Sequence, residues 1–305
     1  MSRSPKATAR WLLARATRRR LVLPGRGVEI ALLDWGGDGP LALLHHANGF
    51  CKGMWAEVAE HLRHRFRVVA MDARGHGDSS RPDGPLAYAW SQFAEDLVAV
   101  AEALVAERGG GRVGLGLGHS LGGTSMIGAA ARRPQLFERL VLVDPVVPPP
   151  PGSGITPQNT PQLQRLVEGA RRRRAQWPSR AAARAYCRER TFFASWRAEA
   201  IELYLLDGMR QRADGTLELK CPGAIEATVF GNTDPIDLFV LAARIPCPTA
   251  VLWAERGNFP RPVHEALAAA LPAGRLVRVA AGHLVPMEEP ALVVAAVEAS
   301  LGDRP

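Results

Sequence analysis

Lysine is scarce in this chain. It accounts for three of the 38 basic residues, Lys6, Lys52 and Lys220, and arginine supplies the rest. An arginine-rich stretch is therefore no targeting signal by itself. Cysteine is scarce as well: Cys51, Cys187, Cys221 and Cys247 lie far apart, with no C-x-x-C pair. That spacing argues against a zinc site and a disulfide framework. A reduced, cytoplasmic setting is expected, with no metal and no cofactor. No apolar run approaches the length of a membrane-spanning helix. Trp11-Leu12-Leu13-Ala14 is too short for the apolar core of a secretory leader, so none is expected. There are no internal repeats.

Acidic residues are missing from the first 20 positions. This stretch holds Arg3, Lys6, Arg10, Arg15, Arg18, Arg19 and Arg20. The net charge is +8, so removing these seven leaves about +1 on the other 285 residues. The basic pI of about 10 is thus local in origin. Such a tail can touch RNA or an anionic membrane. The expectation is instead a solvated basic extension over residues 1–20 on a near-neutral body, with no nucleic-acid partner and no membrane span.

What remains is ordinary for a large globular domain. The chain has 305 residues, 47% hydrophobic and 22% charged, enough for one core or a core with an insertion. Strands are expected at Val28–Trp35, Leu41–His45, Phe66–Met71, Arg112–Leu117, Arg139–Asp144, Pro248–Trp253 and Arg275–Ala280. Helical spacing marks Met54–Arg63, Trp90–Glu107, Leu121–Arg133, Pro262–Leu271 and Pro290–Leu301. Strands alternating with helices at this interval imply an α/β fold with a mostly parallel sheet covered on both faces. The alternation breaks at Pro145–Pro161, which contains seven prolines. Residues 162–240 then read as helical, arginine-rich and aromatic. A helical insertion at 146–244 is therefore expected between core segments 21–145 and 245–305. The run Arg171–Arg174 reads as a solvated helix face.

One stretch stands out chemically. Gly118-His119-Ser120-Leu121-Gly122 is a G-x-S-x-G sequence between a predicted strand and a predicted helix. A sharp turn there would hold Ser120 in a strained conformation, with bulk excluded on both sides. The hydroxyl would stand at the helix N-terminus, where free N–H groups can stabilise an oxyanion. The same pattern also suits a plain glycine-rich turn. A base is needed, and among the eight histidines His283, just after the last predicted strand, is best placed. His264, at a helix start, fits either a packed or a functional role.

Together, His46-Ala47-Asn48-Gly49-Phe50 with Trp55, Asp72-Ala73-Arg74-Gly75-His76-Gly77-Asp78-Ser79, the Ser120 turn, Leu142-Val143-Asp144-Pro145, and Gly282-His283 with Glu288 and Pro290 resemble the α/β-hydrolase superfamily in order. The resemblance covers nearly all of residues 21–305. It implies an eight-stranded, mostly parallel sheet with an inserted helical cap. It also implies Ser120 as nucleophile, His283 as base and Leu121 as one oxyanion donor. Counting back from Trp55 aligns Asn48 with the second donor, through its backbone N–H or side-chain amide. Gly49-Phe50 is an alternative register. The usual acid position reads Gly257, a departure from the family pattern. Asp144, where a haloalkane-dehalogenase-like branch carries its acid, and Glu255 are the substitutes, with Asp144 favoured. Arg74, His76 and Asp78 read as loop-setting residues, Glu288 as a cap of the last helix and Cys51 as an inert buried thiol.

The implied activity is hydrolysis of a carboxylic ester or related small acyl substrate with an apolar group. Lactonase, thioesterase, C–C bond hydrolase and acyltransferase chemistry use the same triad and stay open. A non-catalytic ligand-binding role on this fold is the further alternative.

Overall fold

The computed structural model describes residues 3–84, 86–148, 160–231, 234 and 236–302. In chain order these form α1 Pro5–Ala14, β1 Thr17–Leu23, β2 Val28–Gly36, β3 Leu41–His45, α2 Ala56–Leu62, β4 Arg67–Met71, α3 Trp90–Glu107, β5 Val113–His119, α4 Leu121–Arg132 and β6 Leu140–Val143. An inserted segment follows: α5 Pro161–Arg171, β7 Gln176–Trp177, α6 Arg180–Glu189, α7 Ala198–Asp207, β8 Met209–Gln211, β9 Leu217–Leu219, α8 Gly223–Gly231 and α9 Leu238–Ala242. The chain ends with β10 Thr249–Arg256, α10 Arg261–Ala270, β11 Gly274–Gly282, α11 Val285–Glu288 and α12 Pro290–Gly302.

The eight-stranded sheet runs β1-β2-β4-β3-β5-β6-β10-β11. β1 and β2 are antiparallel to their neighbours, and all pairings from β4 onward are parallel. The central strands are apolar throughout because each face is covered. Ala42 and Leu44 of β3 join one apolar cluster with Leu115, Leu117, Val141 and Val143. Their neighbours Leu41 and Leu43 join the opposite cluster with Val69, Met71 and Leu142.

Residues 3–20 of the basic stretch are no solvated extension. Helix α1 buries Ala9, Leu12 and Leu13, and Trp35 Nε1 donates to the Leu12 carbonyl at 3.0 Å. Strand β1 pairs with β2 along its whole length. Its arginines are matched by acids from elsewhere: Arg18 reaches Asp207 at 2.9 Å, Arg19 reaches Glu107 at 2.7 Å, and Arg20 meets Glu29. Asp207 and Glu107 lie far along the chain, so local charge counting misses them.

The inserted segment also differs from a purely helical one. It contains a small antiparallel sheet, β7-β9-β8. Its Trp177, Phe193, Trp196 and Leu203 belong to the same apolar cluster as α1 and one face of the main sheet. Most of the proline-rich stretch Pro145–Pro161 lies outside the described residues.

Candidate active site

At the C-terminal ends of β5, β6 and β11, three distant residues meet. Ser120 follows β5, Asp144 follows β6 and His283 follows β11. His283 Nε2 lies 3.0 Å from Ser120 Oγ, and His283 Nδ1 lies 2.6 Å from Asp144 Oδ2. Read from this network, Nδ1 carries the proton toward Asp144 and the Nε2 lone pair faces the hydroxyl.

The backbone is strained where the chemistry sits. Ser120 (φ 54°, ψ −117°) and Asp144 (φ 41°) are the two non-glycine residues at positive φ among those described. Ser120 opens α4 without capping it through its side chain, which leaves Oγ for His283. The flanking glycines serve close approach. A Cβ on Gly118 would strike the Gly122 carbonyl, and one on Gly122 would strike the His45 carbonyl.

Asp144 is fully buried and accepts the Ala254 N–H through Oδ1 at 3.1 Å. Glu255, the competing carboxylate, instead pairs with Arg278. Gly257 touches Asp144: a Cβ there would lie 2.9 Å from Oδ2. A side chain at this position would crowd Asp144. His264 is buried behind Asp144, with Nε2 3.6 Å from Oδ1, and burial lowers its pKa.

His283 is held from two sides. His119, neutral because burial pushes its pKa down to about 3, has Nε2 2.8 Å from the His283 carbonyl. Glu288 accepts the Gly282 N–H at 2.7 Å. Glu288 therefore braces the loop carrying His283.

The loop after β3 lies beside the Ser120 turn, because His45 pairs with Gly118 across the sheet. Two of its N–H groups are spent. Gly49 donates to His76 Nε2 at 3.0 Å, and Phe50 to the Ala47 carbonyl at 3.3 Å. The Asn48 side-chain amide donates to the Glu226 carbonyl at 3.0 Å. The backbone N–H groups of Asn48 and Leu121 have no protein acceptor among the described residues.

Arg74 grips buried Asp96 with two contacts of 2.6 Å, and Lys52 joins Asp72 at 2.5 Å and Asp78 at 3.0 Å. Both pairings set the loop after β4. Burial raises the Cys51 pKa well above the ordinary thiol value, which keeps it protonated. Within Arg171–Arg174, Arg173 departs from the solvated reading. It turns inward to Glu226 and Tyr204 while its three neighbours stay exposed. Neither Arg173 nor Glu226 carries a local sequence signal, because their pairing joins α8 to the end of α5.

The fold thus sets a serine strained at a strand-to-helix turn beside a histidine and an aspartate. The sequence model of the "Alpha/beta hydrolase family" matches residues 42–296, and the chain belongs to that family. A bifunctional esterase/perhydrolase from Acinetobacter calcoaceticus is 36% identical over 126 residues, covering 40% of this chain and 43% of that protein. N-formylmaleamate deformylase from Pseudomonas putida is 38% identical over 129 residues, covering 41% and 44%. The chain thus spans less than half the length of these curated relatives. The crystal structure of E-2-(acetamidomethylene)succinate hydrolase superposes with a TM-score of 0.78 at 22% identity, covering 94% of this chain and 99% of that one.

Proposed function

We propose that this chain is a serine hydrolase that cleaves a carboxylic ester or related acyl compound with an apolar group, through an acyl-enzyme on Ser120. The observation that carries this is the unbroken chain from Ser120 Oγ through His283 to Asp144, at 3.0 Å and 2.6 Å. His283 takes the Ser120 proton as Oγ attacks the acyl carbon. Asp144 holds the imidazole in the required tautomer and stabilises the imidazolium. The oxyanion is received by the N–H groups of Leu121 and Asn48. His283 returns the proton to the leaving group, and a water activated by the same histidine releases the acid.

The inserted segment acts as a cap, and its aromatic residues supply apolar cover. Trp196 and Tyr204 pack on Phe50 of the β3 loop, with ring centroids 5.6 Å and 5.9 Å away. A second reading, amide hydrolysis by the same steps, is supported by the deformylase among the relatives. Labelling with a fluorophosphonate probe tests both. Wild type should be labelled and Ser120→Ala should not, and an unlabelled wild type overturns the proposal.

A further inference from the structure

We propose that Arg173 receives a carboxylate carried by the substrate, so that the preferred acyl compounds have an anionic group at their far end. This rests on the serine-hydrolase reading above and adds the substrate class.

Arg173 is placed for this by three elements. It follows α5, bonds the Glu226 carboxylate on α8 through Nη1, and bonds the Tyr204 hydroxyl on α7 through Nη2. The cluster sits directly on the β3 loop. A Cβ built on Gly49 would lie 2.6 Å from Glu226 Oε1 and 3.1 Å from Arg173 Nη1. Asn48, the next residue, offers its N–H to the oxyanion in the proposed reaction. Consecutive Cα atoms lie about 3.8 Å apart. The guanidinium therefore stands beside the residue that follows the proposed oxyanion donor.

The chemistry of the cluster suits an anion. A guanidinium has five N–H donors, and Glu226 and Tyr204 occupy two of them. The remaining face matches a carboxylate in a fork geometry that lysine cannot offer. The Tyr204 hydroxyl, on a buried ring, accepts from Arg173. The Arg173 side chain is 19% exposed. Local charge also favours an anion. Burial chiefly lowers the His76 pKa, to about 4, and the charges of Arg173 and Arg81 lower it further. Two cations thus act on this loop where Glu226 supplies one matching acid, since Arg81 has no ion-pair partner among the described residues.

The test compares two esters of equal chain length, mono-4-nitrophenyl glutarate and 4-nitrophenyl pentanoate, with Ser120→Ala rates subtracted as blank. Charge-assisted bidentate contacts should give wild type about a tenfold or greater preference in kcat/KM for the glutarate ester. In Arg173→Gln that ratio should fall at least about tenfold, chiefly through KM. A wild type that prefers the pentanoate overturns the proposal. So does an unchanged ratio in Arg173→Gln with both rates reduced, because Arg173 would then only brace the loop. If the variant does not fold, wild type decides: free glutarate should inhibit pentanoate hydrolysis at least about tenfold more strongly than neutral glutaramide, and equal inhibition overturns the proposal. Absence of Ser120-dependent turnover of either ester, without fluorophosphonate labelling, overturns the hydrolase reading itself.

Discussion

Ser120 and Asp144 hold positive φ without glycine's freedom, a conformation that costs of order 1–3 kcal/mol at each. Aspartate tolerates this region better than most residues, through local hydrogen bonding. The two strained residues flank His283, one on each ring nitrogen. Asp144→Asn should therefore lower kcat by about 10⁴ through loss of the correct tautomer. Glu255→Gln should leave it within about twofold, because Glu255 faces Arg278 at the surface and a surface pair contributes little. Steady-state hydrolysis of a short 4-nitrophenyl ester checks both. Loss confined to Glu255→Gln would show the wrong carboxylate has been assigned. The choice between these acids was open in the sequence, because both precede His283 and end strands. In the fold His283 Nδ1 meets Asp144, whereas Glu255 pairs with Arg278.

At the scale of elements, α1 shows how charge can mislead. The basic stretch that holds it reads as a tail, yet residues 3–20 contribute a helix and the start of an edge strand. The apolar residues of α1 are few, and arginines dilute their helical spacing. Their burial depends on α2 and α7, which lie far along the chain. Leu12 is 4% exposed. Leu12→Ala should cost about 2–5 kcal/mol of stability, as large-to-small core changes do. Urea denaturation measures this directly. A loss under about 0.5 kcal/mol, the range of surface substitutions, would return the segment to a solvated role.

For the whole molecule, buried neutral histidines make stability depend on pH. Burial lowers the pKa of His45 to about 4, His76 to about 4 and His119 to about 3. All three are neutral in both states above the unfolded value of about 6.5. Between pH 6.5 and about 4 the unfolded chain binds protons that the folded chain refuses. Stability is therefore full above pH 6.5 and falls as the pH drops through this window, by up to about 1.4 kcal/mol per pH unit for each histidine. The loss levels off below the folded values. His76 shows why in atomic terms: its Nε2 accepts the Gly49 N–H and cannot do so once protonated. Urea midpoints at pH 7, 6 and 5 should fall steadily, and a flat or rising series would contradict this account.

Most core strands were legible without coordinates. Unbroken apolar runs between glycine-rich turns leave few alternatives, and Leu41–His45 and Trp90–Glu107 coincide with the observed elements. The Ser120 turn was legible too, because close backbone approach at Gly118 and Gly122 demands glycine and so marks the sequence. Tertiary structure alone decided the long-range pairings. Asp144 meets His283 across 139 residues, Arg18 meets Asp207 across 189, and Arg173 meets Glu226 across 53. Side chains in such pairs are chosen by geometry at the point of contact. A single sequence, read in windows of a few turns, carries no record of that point.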